Sequence, residues 1–170
     1  MAILNEGPSE AASEAAFTVM AARLHALRPK LRTVVVAPYL DHPAYAEGNF
    51  PIWWQGQNNE QFITQAKPPY FVRFSHHPIN TFRGIFQGHA SIQCYAQTEP
   101  WVETIRDLVM GAYPVGEVTS ENGFDVAIKS VDAKSAWPVN GVHRNKPWPV
   151  RANFMIPVSV LWNIDLNPGL

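Results

Sequence analysis

A single cysteine, Cys94, stands in the whole chain. No disulfide framework can be built from it, and a domain of 170 residues is long enough to bury a core without one. In its apolar stretch Cys94 reads as a small buried hydrophobe, which points to a reducing compartment. Charge is also scarce: Asp, Glu, Lys and Arg make up 16% of the residues, against about 25% in typical globular domains. Thirteen basic and fourteen acidic residues leave a formal charge of −1, which excludes the basic footprint of a dedicated nucleic-acid binder. No stretch approaches the roughly 18 apolar residues of a membrane span, and residues 1–13 lack the basic-then-apolar pattern of a secretion signal. Together these absences predict a soluble chain made in the cytoplasm. The Gly-x-Ser-x-Gly elbow, the Gly-x-x-x-x-Gly-Lys loop and the Gly-x-Gly-x-x-Gly turn are missing too, and with them the common hydrolase, nucleotide and dinucleotide signatures.

What the chain has in quantity is proline, at fifteen residues, and tryptophan, at six. Large aromatics combined with so little charge imply that part of the exterior meets another protein.

Hydrophobic periodicity divides the chain into elements. Ser9 and Glu10 make a cap and first turn, and Phe17, Met20, Leu24, Leu27 and Leu31 recur at three and four residues. This spacing predicts an amphipathic helix over about 9–28, ended by Pro29. Val34, Val35 and Val36 favour a short strand over 32–37. Residues 38–69 then lose all period. A connection of that length is too long for an idle loop, and Tyr39, Tyr45, Phe50, Trp53, Trp54 and Phe62 make it too aromatic for permanent disorder.

Alternation takes over with Tyr70, Val72 and Phe74, which stop at the corner Ser75-His76-His77-Pro78. Phe82, Gly84, Phe86, Gly88, Ala90, Ile92 and Cys94 form the small or apolar side of a long partner strand. Its wet side carries Arg83, Gln87, His89, Ser91, Gln93 and Gln97. Gly84 and Gly88 are placed to admit a helix or a strand bend. Thr98 caps a second helix with Trp101, Val102, Ile105, Leu108, Val109 and Ala112 as its buried stripe, and Gly111 and Pro114 stop it. A strand follows over 124–131. The last, over 150–164, alternates strictly through Val150, Ala152, Phe154, Ile156, Val158, Val160, Trp162 and Ile164. Between them, 134–149 holds the turn pair Asn140-Gly141 and reads as a projecting arm. The expected fold is one α+β domain over 1–170: an antiparallel or mixed sheet of about four to five strands with two helices on one face, and insertions at 38–68 and 134–149.

No candidate catalytic, cofactor or metal site emerges. His76 and His77 are adjacent, and neighbours in an extended chain point to opposite sides, so their rings do not grip one ion. Asp41 and His42 could pair as base and orienter, yet no nucleophile stands near them in the sequence. Trp53, Trp54, Trp137 and Trp148 are of another kind, since large aromatics in loops are typical interface anchors. Trp137, Asn140, Arg144, Lys146 and Trp148 of the arm are therefore expected to contact a neighbouring subunit or another component of an assembly, with Trp53 and Trp54 helping to pack that interface.

Taken in order, several features carry a family likeness: the leading helix, the Phe50-Pro51-Ile52-Trp53 segment, the Pro69-Tyr70-Phe71-Val72-Arg73 strand, the Gly84–Tyr95 strand, the helix from Thr98 and the closing Val150–Trp162 strand. Over residues 10–164 the chain resembles the tail terminator, or tail completion, proteins of long-tailed bacteriophages, the group of the lambda minor tail protein U. The resemblance implies a non-enzymatic virion protein without cofactors. It would form a homo-oligomeric, hexameric ring at the head-proximal end of the tail tube, contacting the tail tube protein and the head-tail connector protein, with DNA passing unread through the lumen. The long 38–68 and 134–149 segments depart from shorter members of that group. Two other readings stand beside it: another neck or connector ring subunit, and a small binding module or metal-dependent enzyme using Asp41, His42, His76, His77 and His89.

Overall fold

The computed structural model describes residues 2–54, 69–80, 86–138, 142–143, 146–147 and 154–166. Helix α1 runs over Ala2–Arg32. It is longer at both ends than the periodicity predicts, and its backbone passes through Pro29. Proline inside a helix costs about 3 kcal/mol, whereas each fully buried aliphatic side chain returns about 1.5–3 kcal/mol. The turn beyond Pro29 buries Leu31, Val34 and Val35, so burial outweighs the missing hydrogen bond. The three valines do not form the expected strand. The N–H groups of Thr33, Val34 and Val35 donate back to the carbonyls of Lys30, Leu31 and Arg32 at 3.1–3.2 Å, closing a tight turn instead. Their β-preference yields to packing, because among the described residues no strand lies alongside to receive it.

The stretch after this turn is ordered by aromatics. Short 3-10 turns at Ala37–Tyr39 and Pro43–Gly48 lead to strand β1 (Ile52–Trp54). Tyr45 and Phe50 are fully buried, and the Tyr45 hydroxyl donates to the Tyr70 carbonyl at 2.7 Å while accepting from the Tyr70 N–H at 2.9 Å. Arg32 donates to the Tyr45 carbonyl and so ties the end of α1 to the same turn.

Strand β2 (Phe71–Asn80) does not stop at the His76-His77-Pro78 corner but continues through it. Proline is tolerated because β1 pairs only with residues 72–74, in parallel, leaving the rest of β2 at a sheet edge among the described residues. Strand β3 (Phe86–Ala96) pairs antiparallel with β2 and, on its other side, with β9 (Phe154–Leu166). Between them in sequence come α2 (Glu99–Gly111), β4 (Val118–Glu121), β5 (Phe124–Ala133), β6 (Trp137–Pro138) and the small hairpin of β7 (Val142–His143) and β8 (Lys146–Pro147). The sheet order is β1-β2-β3-β9-β5-β4, with β6 also on β9, which makes seven strands among the described residues rather than four or five. The extra strands are β1, β4 and β6, each too short to show a period.

The β4–β5 turn contains Asn122 and Gly123, both at positive φ (54° and 84°). Asn-Gly is the preferred pair for a two-residue hairpin, a signal that hydrophobic periodicity does not carry. Strand β5 carries a bulge between Ile128 and Ser130 that reverses its phase. Val126 and Ile128 face inward before it, and Val131 and Ala133 join the core after it.

Both helices lie on one face of the sheet, with α1 crossing β2, β3, β9, β5 and β4, and α2 crossing β3, β9 and β5. The core between the layers is built from Met20, Leu24, Leu27 and Leu31 of α1, Val102, Ile105 and Val109 of α2, and the inward positions of β3 and β9. Alternation in the last strand holds from Ile156 onward, where Ile156, Val158, Val160, Trp162 and Ile164 are fully buried; Phe154 is half-buried, and Val150 and Ala152 lie outside the described residues. Trp101 leaves the predicted α2 stripe and is 38% exposed, and Thr98 occupies the cap position without a side-chain bond. The Tyr113 hydroxyl donates to the Met20 carbonyl at 2.7 Å and locks the end of α2 to α1.

Candidate interaction surface

Side chains alternate across the sheet, so the register alone sorts them into a helix side and an outer side. Two cross-strand rows on the outer side, at the end where β9 begins, are dominated by large side chains. One row is Phe71, Tyr95, Met155 and Trp137, and the next is Trp53, Arg73, Gln93 and Pro157. Phe71 stacks on Tyr95 with ring centroids 4.3 Å apart and planes 9° from parallel. Trp53 meets Phe71 edge-on at 6.3 Å, and the Arg73 guanidinium lies 5.5 Å from the Trp53 ring centre. Cross-strand aromatic pairs and cation–π contacts of this type each contribute about 0.5–1.5 kcal/mol. Burial raises the Tyr95 hydroxyl pKa, with Arg73 acting in the opposite direction. The Tyr95 hydroxyl donates to Gln93 Oε1 at 3.0 Å.

Within this band exposure differs sharply. Trp53, Phe71 and Met155 are buried, whereas Trp137 is 53% exposed. Trp137 pairs with Met155 through β6, so this first part of the 134–149 arm lies along β9 and does not project. Farther along the outer side the character changes. Ser75, Ser91 and Ser159 form a polar row, followed by His77, His89 and Leu161.

The structure thus separates the residues expected at an interface. Trp53 is enclosed in its own chain on the outer side. Trp54 points to the helix side, where it stacks on His25 at 4.6 Å and packs against Phe74 at 5.3 Å. Adjacent positions on a strand cannot serve one surface, and these two do not. Lys146 belongs to β8, opposite His143. Asn140, Arg144 and Trp148 lie outside the described residues.

The histidines are likewise dispersed. His42 uses Nδ1 to accept from the Ala44 N–H at 3.1 Å, capping the second 3-10 turn, and Asp41 beside it is exposed. His76 points to the helix side, stacked on Trp162 at 5.2 Å and edge-on to Phe17 at 5.8 Å. Burial, with His77 and His89 adding repulsion, pushes its pKa down to about 4. His77 points outward, as adjacency predicts, and stacks on His89 at 4.8 Å. Among the described residues no three His, Cys, Asp or Glu side chains converge. Two shallow clefts flank α1. One, of about 540 Å³, lies between Ser13, Glu14, Phe17, Thr18 and His76. The other, of about 480 Å³, lies beside α2 and contains Arg23, Lys30, Asp107 and Glu117. In the second, Arg23 is already engaged by Glu117, Thr119 Oγ1 and the Ala112 carbonyl. Cys94 is fully buried, and burial pushes its thiol pKa up, away from nucleophilic use.

Gly88 is the position whose role sequence reasoning named least closely. What presses on it is the indole of Trp162 from the neighbouring strand, together with the His77 carbonyl; Gly84, read the same way, lies outside the described residues. The partner of Gly88 in the register is Trp162 itself, a relation that no local pattern displays. No family model matches the chain, and no curated protein matches it.

Proposed function

We propose that this chain is a structural subunit of a ring at the head-proximal end of a bacteriophage tail tube, where it ends tube growth and offers a docking face to the head connector. The observation that carries the reading is Trp137. A large indole, half exposed, continues a buried aromatic row on the sheet face opposite the helices. Half-exposed tryptophan at the margin of a row whose Phe71 and Met155 are buried suits an anchor completed by a neighbour. The order of elements is compatible with the same reading: a leading helix, an extended segment entering β1, the β2–β3 pair, a second helix and a long closing strand follow one another along the chain. Near-neutral charge suits a lumen through which DNA passes without being held.

In such a ring, Trp137 packs against the adjacent copy, and partners beyond the ring are the tail tube protein and the connector. Purified protein should have a solution mass that is a multiple of the subunit and should decorate one end of isolated tail tubes in electron micrographs. Trp137→Ala should leave the circular dichroism spectrum unchanged while reducing both behaviours. A persistent monomer that ignores tube ends would overturn the reading, and binding only to tail-less heads would move the ring to the connector side of the neck.

A further inference from the structure

Strands β2 and β3 place two imidazoles that lie twelve positions apart in sequence directly opposite one another. His77 and His89 are partners in the antiparallel register, and their ring centroids are 4.8 Å apart. Directly opposed residues project from the same face with Cβ atoms about 4.5–5.5 Å apart, so both rings rise from one rigid base on the outer side. His77 is exposed and His89 half-buried, which leaves ring nitrogens within reach of solvent. A metal ion at about 2.0–2.1 Å from each of two nitrogens needs them roughly 3 Å apart. Reaching that separation calls for rotation of the two rings about their own side-chain bonds, starting from centroids 4.8 Å apart.

The surroundings select the kind of ion. The outer-side positions next to the pair hold Ser75, Ser91, Gln87 and Leu161, with no carboxylate among them. Calcium and magnesium require oxygen ligands, usually charged, whereas imidazole suits copper, nickel and zinc. No third His, Cys, Asp or Glu converges here among the described residues, so two positions come from the protein and the rest remain for water or an incoming donor. We propose that His77 and His89 form a two-imidazole chelate for a borderline divalent transition ion on the outer face of the β2–β3 ladder. The ion would cross-link β2 to β3 at the stretch of β2 that β1 does not cover, clamping that end of the strand pair.

The test uses the intact protein titrated with CuCl2, NiCl2 and ZnCl2, with MgCl2 as a blank. Three readouts are followed: calorimetric binding, histidine ring proton broadening by Cu2+, and the melting temperature. The wild type should take one ion saturably, Cu2+ more tightly than Ni2+ or Zn2+. Broadening should fall first on two ring systems, and the melting temperature should rise. His77→Gln and His89→Gln should each abolish the saturable phase and the thermal shift, while His143→Gln keeps both. Binding retained by either single variant, lost in His143→Gln, or absent from the wild type would overturn the chelate. The broadening pattern decides the matter on the wild type alone should a variant fold poorly.

Discussion

Replacing Gly88 by alanine adds one methyl group at the most crowded point of the sheet. A Cβ there would sit 2.2 Å from Trp162 Cζ2, 2.8 Å from Cε2 and 2.7 Å from the His77 carbonyl oxygen. All three distances are below any real carbon contact, and neither obstacle is a flexible chain end. Trp162 is fully buried, with His76 stacked on its indole, so the ring cannot swing away without opening the core. The His77 carbonyl is backbone in β2, so yielding there means parting β2 from β3. Overpacking costs about 1–3 kcal/mol where side chains adjust, and the rigidity of both neighbours places Gly88→Ala at the top of that range, about 3 kcal/mol. For a chain of this size that corresponds to a fall in melting temperature of about 6–12 °C. Calorimetry or urea denaturation followed by tryptophan fluorescence measures it. Combining Gly88→Ala with Trp162→Leu removes the offending ring, and the cycle should show a favourable coupling of about 1–2 kcal/mol. A Gly88→Ala protein that melts within about 1 °C of the wild type would refute the reasoning, as would strict additivity in the cycle.

Three further outcomes are expected. Tyr45→Phe strips a buried hydroxyl that serves both the N–H and the carbonyl of Tyr70, so it should cost about 1–3 kcal/mol, read as a lower urea midpoint with an unchanged slope. His76 has a folded-state pKa of about 4 against an ordinary value of 6.5, so the unfolded chain binds the proton first; stability should be intact above pH 6.5 and decline as pH falls toward 4, and His76→Phe should flatten that decline in pH-dependent denaturation. Cys94 should resist a thiol reagent at pH 8 in the native protein and react promptly once guanidinium unfolds it; rapid native labelling would contradict its complete burial and raised pKa.

Much of the architecture was legible in periodicity. The α1 stripe from Met20 to Leu31, the small-residue side of β3 and the alternation of β9 are each written in one contiguous stretch, because an element that buries one face must repeat its apolar residues at its own period. Readings failed where one residue type was taken as a boundary. Pro29 and Pro78 look like stops in the sequence, but the first is outweighed by the burial of Leu31, Val34 and Val35, and the second sits where β2 has no second neighbour among the described residues. The valines at 34–36 form no strand, since a strand needs a partner and none stands beside them among the described residues.

The candidate surface was legible only as a list of aromatics. Which of them share a face depends on register, and register is a relation between strands distant in sequence. The chain on its own therefore determined the two helices, the long strands and the supply of tryptophan. Only the tertiary structure decided that Trp53 and Trp54 part company, that Trp137 remains half exposed at the end of a buried row, and that His77 meets His89. It alone decided, too, that Gly88 makes room for Trp162. Local periodicity records what each element must bury, whereas the pairing of elements, set by packing the whole core at once, determines what each side chain meets.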